Sequence, residues 1–434
     1  MIENNTQLIQ ELTTKNYIIY KLKKMKTKLT FDLLFRRLNI AAWILLLLPF
    51  YSFAQENVDS SFHRHYEIGI GNSYDLDNVS RNGLTTYKLV QDVYSKGIQP
   101  KLPKVVGNVI GGVWSFAFTY LSMIWPHEFG HVLRARQVGG NFKIHNISLP
   151  IPYTTMHLPE DVSFQDRALS VIGGFEINYL TSRRIQDDFY EYNGLYNDEL
   201  ALAFVHKLMY PIYVSLIVRQ DPNLQETWIN TAGDPVHYIM PVWQRYSNDE
   251  IFISDGSVHP GLVDFYGQSA ILATFLQLLD PAFYKQASAS FGQVSKGKRP
   301  WYIIGNDHNG WSYGTGFNTS ILGYEVFLNN YLKLNDRLFV VRLKTGRPFK
   351  NNSITISSPN IYTSEKMKLG ALLEVWDQDI FGKGFMINSD FSYSVYKKMD
   401  LNVQLGYKTE GYTMGKSVED NFIGWVGLKY NVNN

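Results

Sequence analysis

From about residue 298 to the C-terminus, apolar residues recur at every second position. The alternating runs are 314–322, 325–332, 337–344, 368–375, 385–395, 401–407 and 422–430. Turn residues separate them, as in Lys397-Lys398-Met399-Asp400. A period of two places side chains on opposite faces of a strand, so these runs predict antiparallel strands. Upstream the pattern is different. Residues 105–125 form a charge-free stretch, VVGNVIGGVWSFAFTYLSMIW, with the length and composition of a transmembrane helix. Further apolar stretches, 168–180, 201–218 and 262–279, are each broken by a polar group: Glu176, His206 and Asp264. They read as packed helices of one bundle. The expected fold is α+β: a helical bundle over 105–298, then an antiparallel β-sheet or small β-barrel over 299–434. Before them, residues 55–104 are mixed and polar, with one expected strand at 66–72 (YEIGIGN).

The N-terminus reads as a targeting segment. Lys26, Lys28, Arg36 and Arg37 precede the apolar run 40–50, and Ala54 offers a small residue before Gln55. That is the order of a secretory signal peptide over 1–54, with Met25 a candidate start. Residues 1–54 hold eight Lys/Arg and three Asp/Glu out of 41 and 39 in the whole chain, so the remainder is formally −3. No basic patch points to nucleic acid. The absence of Cys excludes disulfides, thiolate metal sites, a Cys nucleophile and a lipidated Cys. Aromatics reach 15% while charged residues are only 18%. Together with export and the alternating strands, this composition predicts an outer-membrane location with lipid as a partner, a soluble sandwich being the alternative.

The candidate chemistry lies at His127-Glu128-Phe129-Gly130-His131. On a helix, positions i and i+4 share a face, so His127 and His131 can bind one metal ion. Glu128, beside them, is the candidate general base for a metal-activated water. Pro126 either opens a new helix or kinks a continuous one, and Gly139-Gly140 should end it. The string WPHEFGHVLRARQVGG resembles zincin metalloproteases, and over 105–140 most resembles the membrane-embedded site-2-type proteases. That resemblance implies Zn²⁺ held by His127 and His131, with Glu128 as base. Those proteases take a third ligand from an Asp in a Leu-Asp-Gly-like motif. The nearest approaches here are Asp264 in Gly261-Leu262-Val263-Asp264, and Asp280-Pro281.

A catalytic zinc site needs a third protein ligand. Glu176 is the first choice, because a carboxylate inside an apolar helix requires a metal or an ion-pair partner. Gly173 and Gly174 just before it would let its helix approach another closely. The competing reading pairs Glu176 with Arg134, Arg136 or Arg183. His157 and His206 are further candidates, while His63, His65, His237 and His308 read as surface residues. Tyr153, Tyr179, Tyr210 and His206 could each serve an oxyanion, and the sequence does not separate them. No phosphate-binding loop and no G-x-S-x-G elbow is present. The expected function is therefore a zinc-dependent, membrane-associated metallopeptidase of the bacterial envelope, acting on peptide or protein substrate. The alternative is a non-catalytic zincin-like subunit of an outer-membrane assembly or secretion complex, partnered by other outer-membrane proteins.

Overall fold

The computed structural model describes residues 62, 64–145, 152–218, 234–247, 249–254, 256–290 and 296–432. The expected signal segment, 1–54, lies outside the described residues. Strands β7 (Gly310–Ser320), β8 (Gly323–Leu334), β9 (Arg337–Pro348), β10 (Asn351–Thr363), β11 (Met367–Gln378), β12 (Gly382–Tyr396), β13 (Met399–Lys408) and β14 (Asn421–Val432) run up and down in sequence order. The N-terminal strand β1 (Arg64–Gly71) adds beside β14, and the short β6 (Ile304–Gly305) adds beside β7, giving a 10-stranded antiparallel sheet. Its edges are β1 and β6, so the sheet is open and not a closed barrel. The α+β class is as expected.

The outer face of this sheet is rich in apolar residues, and its inner face mixes apolar with charged ones. Cross-strand register aligns Val341, Ile356, Leu373, Ile387, Tyr407 and Phe422 from β9 to β14. Ile356 and Ile387 in that row are each 51% exposed, and Phe422 is 79% exposed. One residue along, the opposite face aligns Arg342, Thr355, Glu374, Met386 and Lys408, all buried. Charges are tolerated inside because they are paired: Arg342 with Asp187 of a helix, and Lys344 with Glu325 of the neighbouring strand β8 at 3.2 Å. A polar cavity of about 220 Å³ separates the helices from this inner face, lined by Asp77, Arg81 and Asp187 opposite Arg342, Glu374 and Asp390.

Between β1 and β6 the chain is mainly helical. Helix α1 (Leu76–Asp92) starts at an Asp75 cap that accepts from the Asp77 N–H. Helix α2 (Lys104–Gln137) spans 34 residues and contains the charge-free stretch. It stays helical on both sides of Pro126, so the proline neither starts nor ends it. The hairpin β2 (Asn141–His145) and β3 (Tyr153–His157) follows. Helix α3 (Phe164–Glu191) is capped by Ser163, which accepts from the Asp166 N–H at 3.1 Å. Strand β4 (Leu195–Tyr196) leads into α4 (Asn197–Val218); α5 (Asp234–Ser247), α6 (Pro260–Leu279) and α7 (Pro281–Ala289) come next, and β5 (Gly297–Lys298) returns to β4. Among the described residues α6 is long and apolar enough to cross a membrane by length and composition.

Several elements depart from the sequence expectation: helix α1 arises in the stretch expected to hold only a strand, the β2–β3 hairpin and helix α5 fall outside the expected apolar runs, and β10 lies outside the alternating ones. His65, expected at the surface, is buried on β1 with its ring 3.4 Å from Asp188, because the inner face of the sheet admits charged groups.

Candidate metal centre

His127 and His131 project from the same face of α2, and both rings are buried. Their Nε2 atoms are 3.2 Å apart. The Asp234 Oδ2 atom, from the first residue of α5, lies 3.0 Å from the His127 Nε2 and 3.1 Å from the His131 Nε2. These three residues form the group that could hold a metal ion among the described residues. The spacing fits a small tetrahedral cation. Zinc bonds to N and O of about 2.0–2.2 Å imply ligand–ligand edges of roughly 3.3–3.5 Å. The observed triangle needs to open by only a few tenths of an ångström.

Glycines bring the histidines close to α3. A Cβ on Gly130 would stand 2.2 Å from the Gly173 carbonyl oxygen, and one on Gly173 would stand 2.3 Å from that of Gly130. The two helices therefore touch backbone to backbone. Gly174 sits directly beneath the histidine rings, 2.6 Å from the His131 Nε2 for an added Cβ. Spaced four apart on α3, Ser170, Gly174 and Asn178 face the site together.

The outer ring nitrogens are held by that face. The His131 Nδ1 donates to the Ser170 carbonyl at 3.2 Å, a bond that in the neutral ring leaves Nε2 as the lone-pair nitrogen. The His127 Nδ1 meets the side-chain amide of Asn178 at 3.0 Å, and that amide meets the His206 Nδ1 at 3.0 Å. Burial opposes charging of His131, but the Asp234 carboxylate outweighs it and Glu128 adds to it, raising the imidazole to about 9. Burial of Asp234 is likewise outweighed by the two imidazoles, which hold its carboxyl well below the usual range. Glu128 is 8% exposed and close enough for its charge to reach His131.

Glu176, expected beside the histidine pair, does not join it. Two residues beyond Gly174 on a helix is a rotation of about 200°, which turns Glu176 away from the histidine pair. Its carboxylate instead forms a two-pronged bond with Arg134, from Nε at 2.8 Å and Nη2 at 2.5 Å, and accepts from the Gly415 N–H at 2.6 Å. Asp280 is engaged with Lys207 at 2.7 Å and caps α7. Asp264 lies on α6 outside the metal-competent group, and His157 is exposed at the end of β3. His206 reaches His127 only through Asn178. Of the tyrosines, Tyr153 is exposed, Tyr179 stacks on Phe327 and Tyr210 bonds Ser269 at 2.7 Å. Tyr213 is near enough to feel the centre's charges: burial, then Asp234 and Glu128, push its phenol up.

Asp234 escaped the sequence reading because it stands 103 residues after His131 and outside any apolar run. Its one local signal is the Asp-Pro pair opening a helix, a pair that also opens a helix at Asp280-Pro281. Comparison with protein-family models, curated proteins and solved structures finds no match to this chain.

Proposed function

We propose that this chain is a zinc-dependent metallopeptidase associated with the membranes of the bacterial envelope. The observation that carries the reading is the convergence of His127, His131 and Asp234 within 3.2 Å of one another, with Glu128 one residue from the first ligand. The donor set fits zinc: two imidazoles and one carboxylate, each of ordinary zinc-ligand chemistry, leaving a fourth position for water or substrate. An Asp from a separate helix also suits the resemblance to site-2-type proteases better than a Glu two residues after a glycine pair.

Bound zinc would lower the pKa of a coordinated water towards about 7 and polarise a peptide carbonyl. The chain's own residues do the rest. His127, His131 and Asp234 hold the ion. Glu128 accepts the proton of the attacking water and passes it to the leaving amine. Ser170 and the Gly130–Gly173 contact fix the helices that carry these groups. Membrane association is supported by the apolar outer face of the sheet and the charged groups on its inner face, an arrangement suited to lipid outside and water inside.

The test uses the purified full chain. Wild type should contain about one zinc and cleave an unstructured protein substrate. Glu128→Gln should keep zinc and lose about 10²–10⁴-fold in turnover. His131→Ala should lose the metal. Zinc without hydrolysis in wild type would favour the non-catalytic subunit, and absence of zinc would end both readings.

A further inference from the structure

The Asn178 amide joins two imidazoles, and its orientation decides what His127 offers to a metal. As placed in the structure, Nδ2 faces His127 and Oδ1 faces His206; so oriented, the amide donates to the His127 Nδ1 and forces the ring proton onto Nε2. That proton would point into the ligand triangle. Turned by 180°, the Asn178 Oδ1 accepts the His127 Nδ1–H, and Nε2 keeps its lone pair. The Asn178 Nδ2 then donates to the His206 Nδ1, which must be the bare nitrogen of a neutral ring. Burial, with the nearby charge of His127 acting in the same sense, lowers His206 to about 3, so this ring is neutral at ordinary pH. Its proton accordingly sits on Nε2.

That Nε2 is buried and has no hydrogen-bond partner among the described residues. It lines a small cavity of about 20 Å³, shared with Asn178, Gln277, Asn318 and Thr319. Gln277 Oε1, Asn318 Oδ1 and Thr319 Oγ1 are also buried and unpartnered. The volume suffices for one water, which needs about 10–15 Å³ and two to four polar partners. The polarity matches too. The three orphan oxygens can accept, and His206 Nε2–H donates. A single water taking one hydrogen bond and giving two satisfies most of the set.

We propose that Asn178 and His206, closed by one buried water in this cavity, form a relay of positioning residues that holds His127 as its Nδ1–H tautomer and presents Nε2 to the metal. The proposal rests on the metal-centre reading above. It gives His206 a role two bonds away from the ion, in place of that of a ligand or an oxyanion donor.

The experiment measures zinc dissociation constants for the full chain by chelator competition, together with the visible spectrum of the cobalt-substituted protein. Asn178→Leu removes the acceptor and should weaken zinc by about 10–100-fold, the usual scale for loss of a hydrogen bond to a liganding His. Asn178→Asp restores the acceptor and should return affinity to within a few-fold of wild type with the cobalt spectrum preserved. His206→Leu should weaken zinc by several-fold, and His206→Gln, which can accept at one end and donate at the other, should restore it. A role in packing alone would not distinguish Leu from Asp at 178, nor Leu from Gln at 206. Should Asn178→Leu unfold the chain, the two His206 variants decide the matter. If wild type binds zinc and all four variants bind it equally, the relay is overturned while the metal centre stands. If wild type binds none, both fall.

Discussion

Gly174 lies so close to His127 that a Cβ at this position would stand 2.5 Å from both Cε1 and Nε2 of the imidazole. Real Cβ atoms do not approach heavy atoms so closely, so the hydrogen side chain of Gly174 is a condition for the histidine rings to face Asp234. The contact ties a backbone choice on α3 to the ligand geometry on α2.

Gly174→Ala should therefore lower zinc affinity by at least about tenfold, comparable with loss of a supporting group around a metal. Alanine favours helix over glycine by roughly 1 kcal/mol, so α3 itself should persist. Gly97→Ala, at a position with nothing within 4 Å of the added Cβ, serves as the control. Chelator competition on both variants, beside far-ultraviolet circular dichroism, reads the difference. Equal affinity in Gly174→Ala and wild type would mean that the rings do not sit over Gly174 in the metal-bound protein.

Glu176 and Asp234 exchange the roles that the sequence suggests for a buried carboxylate. Glu176→Ala leaves the Arg134 guanidinium buried and unpaired, which should cost about 3–5 kcal/mol of folding stability. Any folded Glu176→Ala protein should still carry zinc. Asp234→Ala should do the reverse, losing zinc with a much smaller change in denaturant midpoint. Metal analysis and urea unfolding of the two variants in parallel would contradict the assignment if the zinc losses were interchanged.

In the metal-free protein the His131–Asp234 pair should set a pH dependence. His131 is raised to about 9, above the ordinary histidine value of about 6.5. A group raised on folding contributes stability that is fully present below its unfolded pKa and is lost as pH rises through the folded one. Asp234 is depressed, so its share is present above about pH 4 and is lost as pH falls. The metal-free chain should thus lose stability between about pH 6.5 and 9, and Asp234→Asn should flatten that slope. Thermal unfolding in chelator across this range makes the measurement. An identical slope in Asp234→Asn would remove the pair as its source.

The parts of this molecule legible in its sequence are those governed by a short period. Seven alternating runs mark strands β7–β9 and β11–β14 because Ile387 and its neighbours face one way and Asn388 the other. Strand β10 alternates as well, through Ile354 and Ile356, but Ser358-Pro359-Asn360 reads as a turn. In the fold the register shifts between Ser358 and Tyr362, and this irregularity absorbs the proline. Helix α1 is hidden for a different reason. Its buried positions include Ser80, Thr85, Lys88 and Gln91, since it faces the charged interior, and no apolar stripe results. At the site, the histidine pair follows from spacing along one helix. The demand that Glu176 have a partner was also readable, but not which cation or metal supplies it. Asp234 depends on the packing of α5 against α3, a long-range contact with no local periodicity.

The outward row Val341, Ile356, Leu373, Ile387, Tyr407 and Phe422 supports the membrane reading most directly. On a water-exposed sheet, replacing one such residue with a charge changes little, usually within about 0.5 kcal/mol. Facing the bilayer midplane, Arg costs about 2–4 kcal/mol, falling toward zero near the interfaces. Ile387 lies inside this row, between Leu373 and Tyr407, and its neighbour Asn388 points to the polar interior. Ile387→Arg should therefore destabilise the protein in lipid vesicles by a few kcal/mol. The same substitution should have little effect on any form refolded without lipid. Membrane fractions should hold the wild-type chain against high salt, releasing it only with detergent. Release by salt alone, together with a neutral Ile387→Arg in vesicles, would leave the apolar row without its lipid and return the sheet to the soluble alternative.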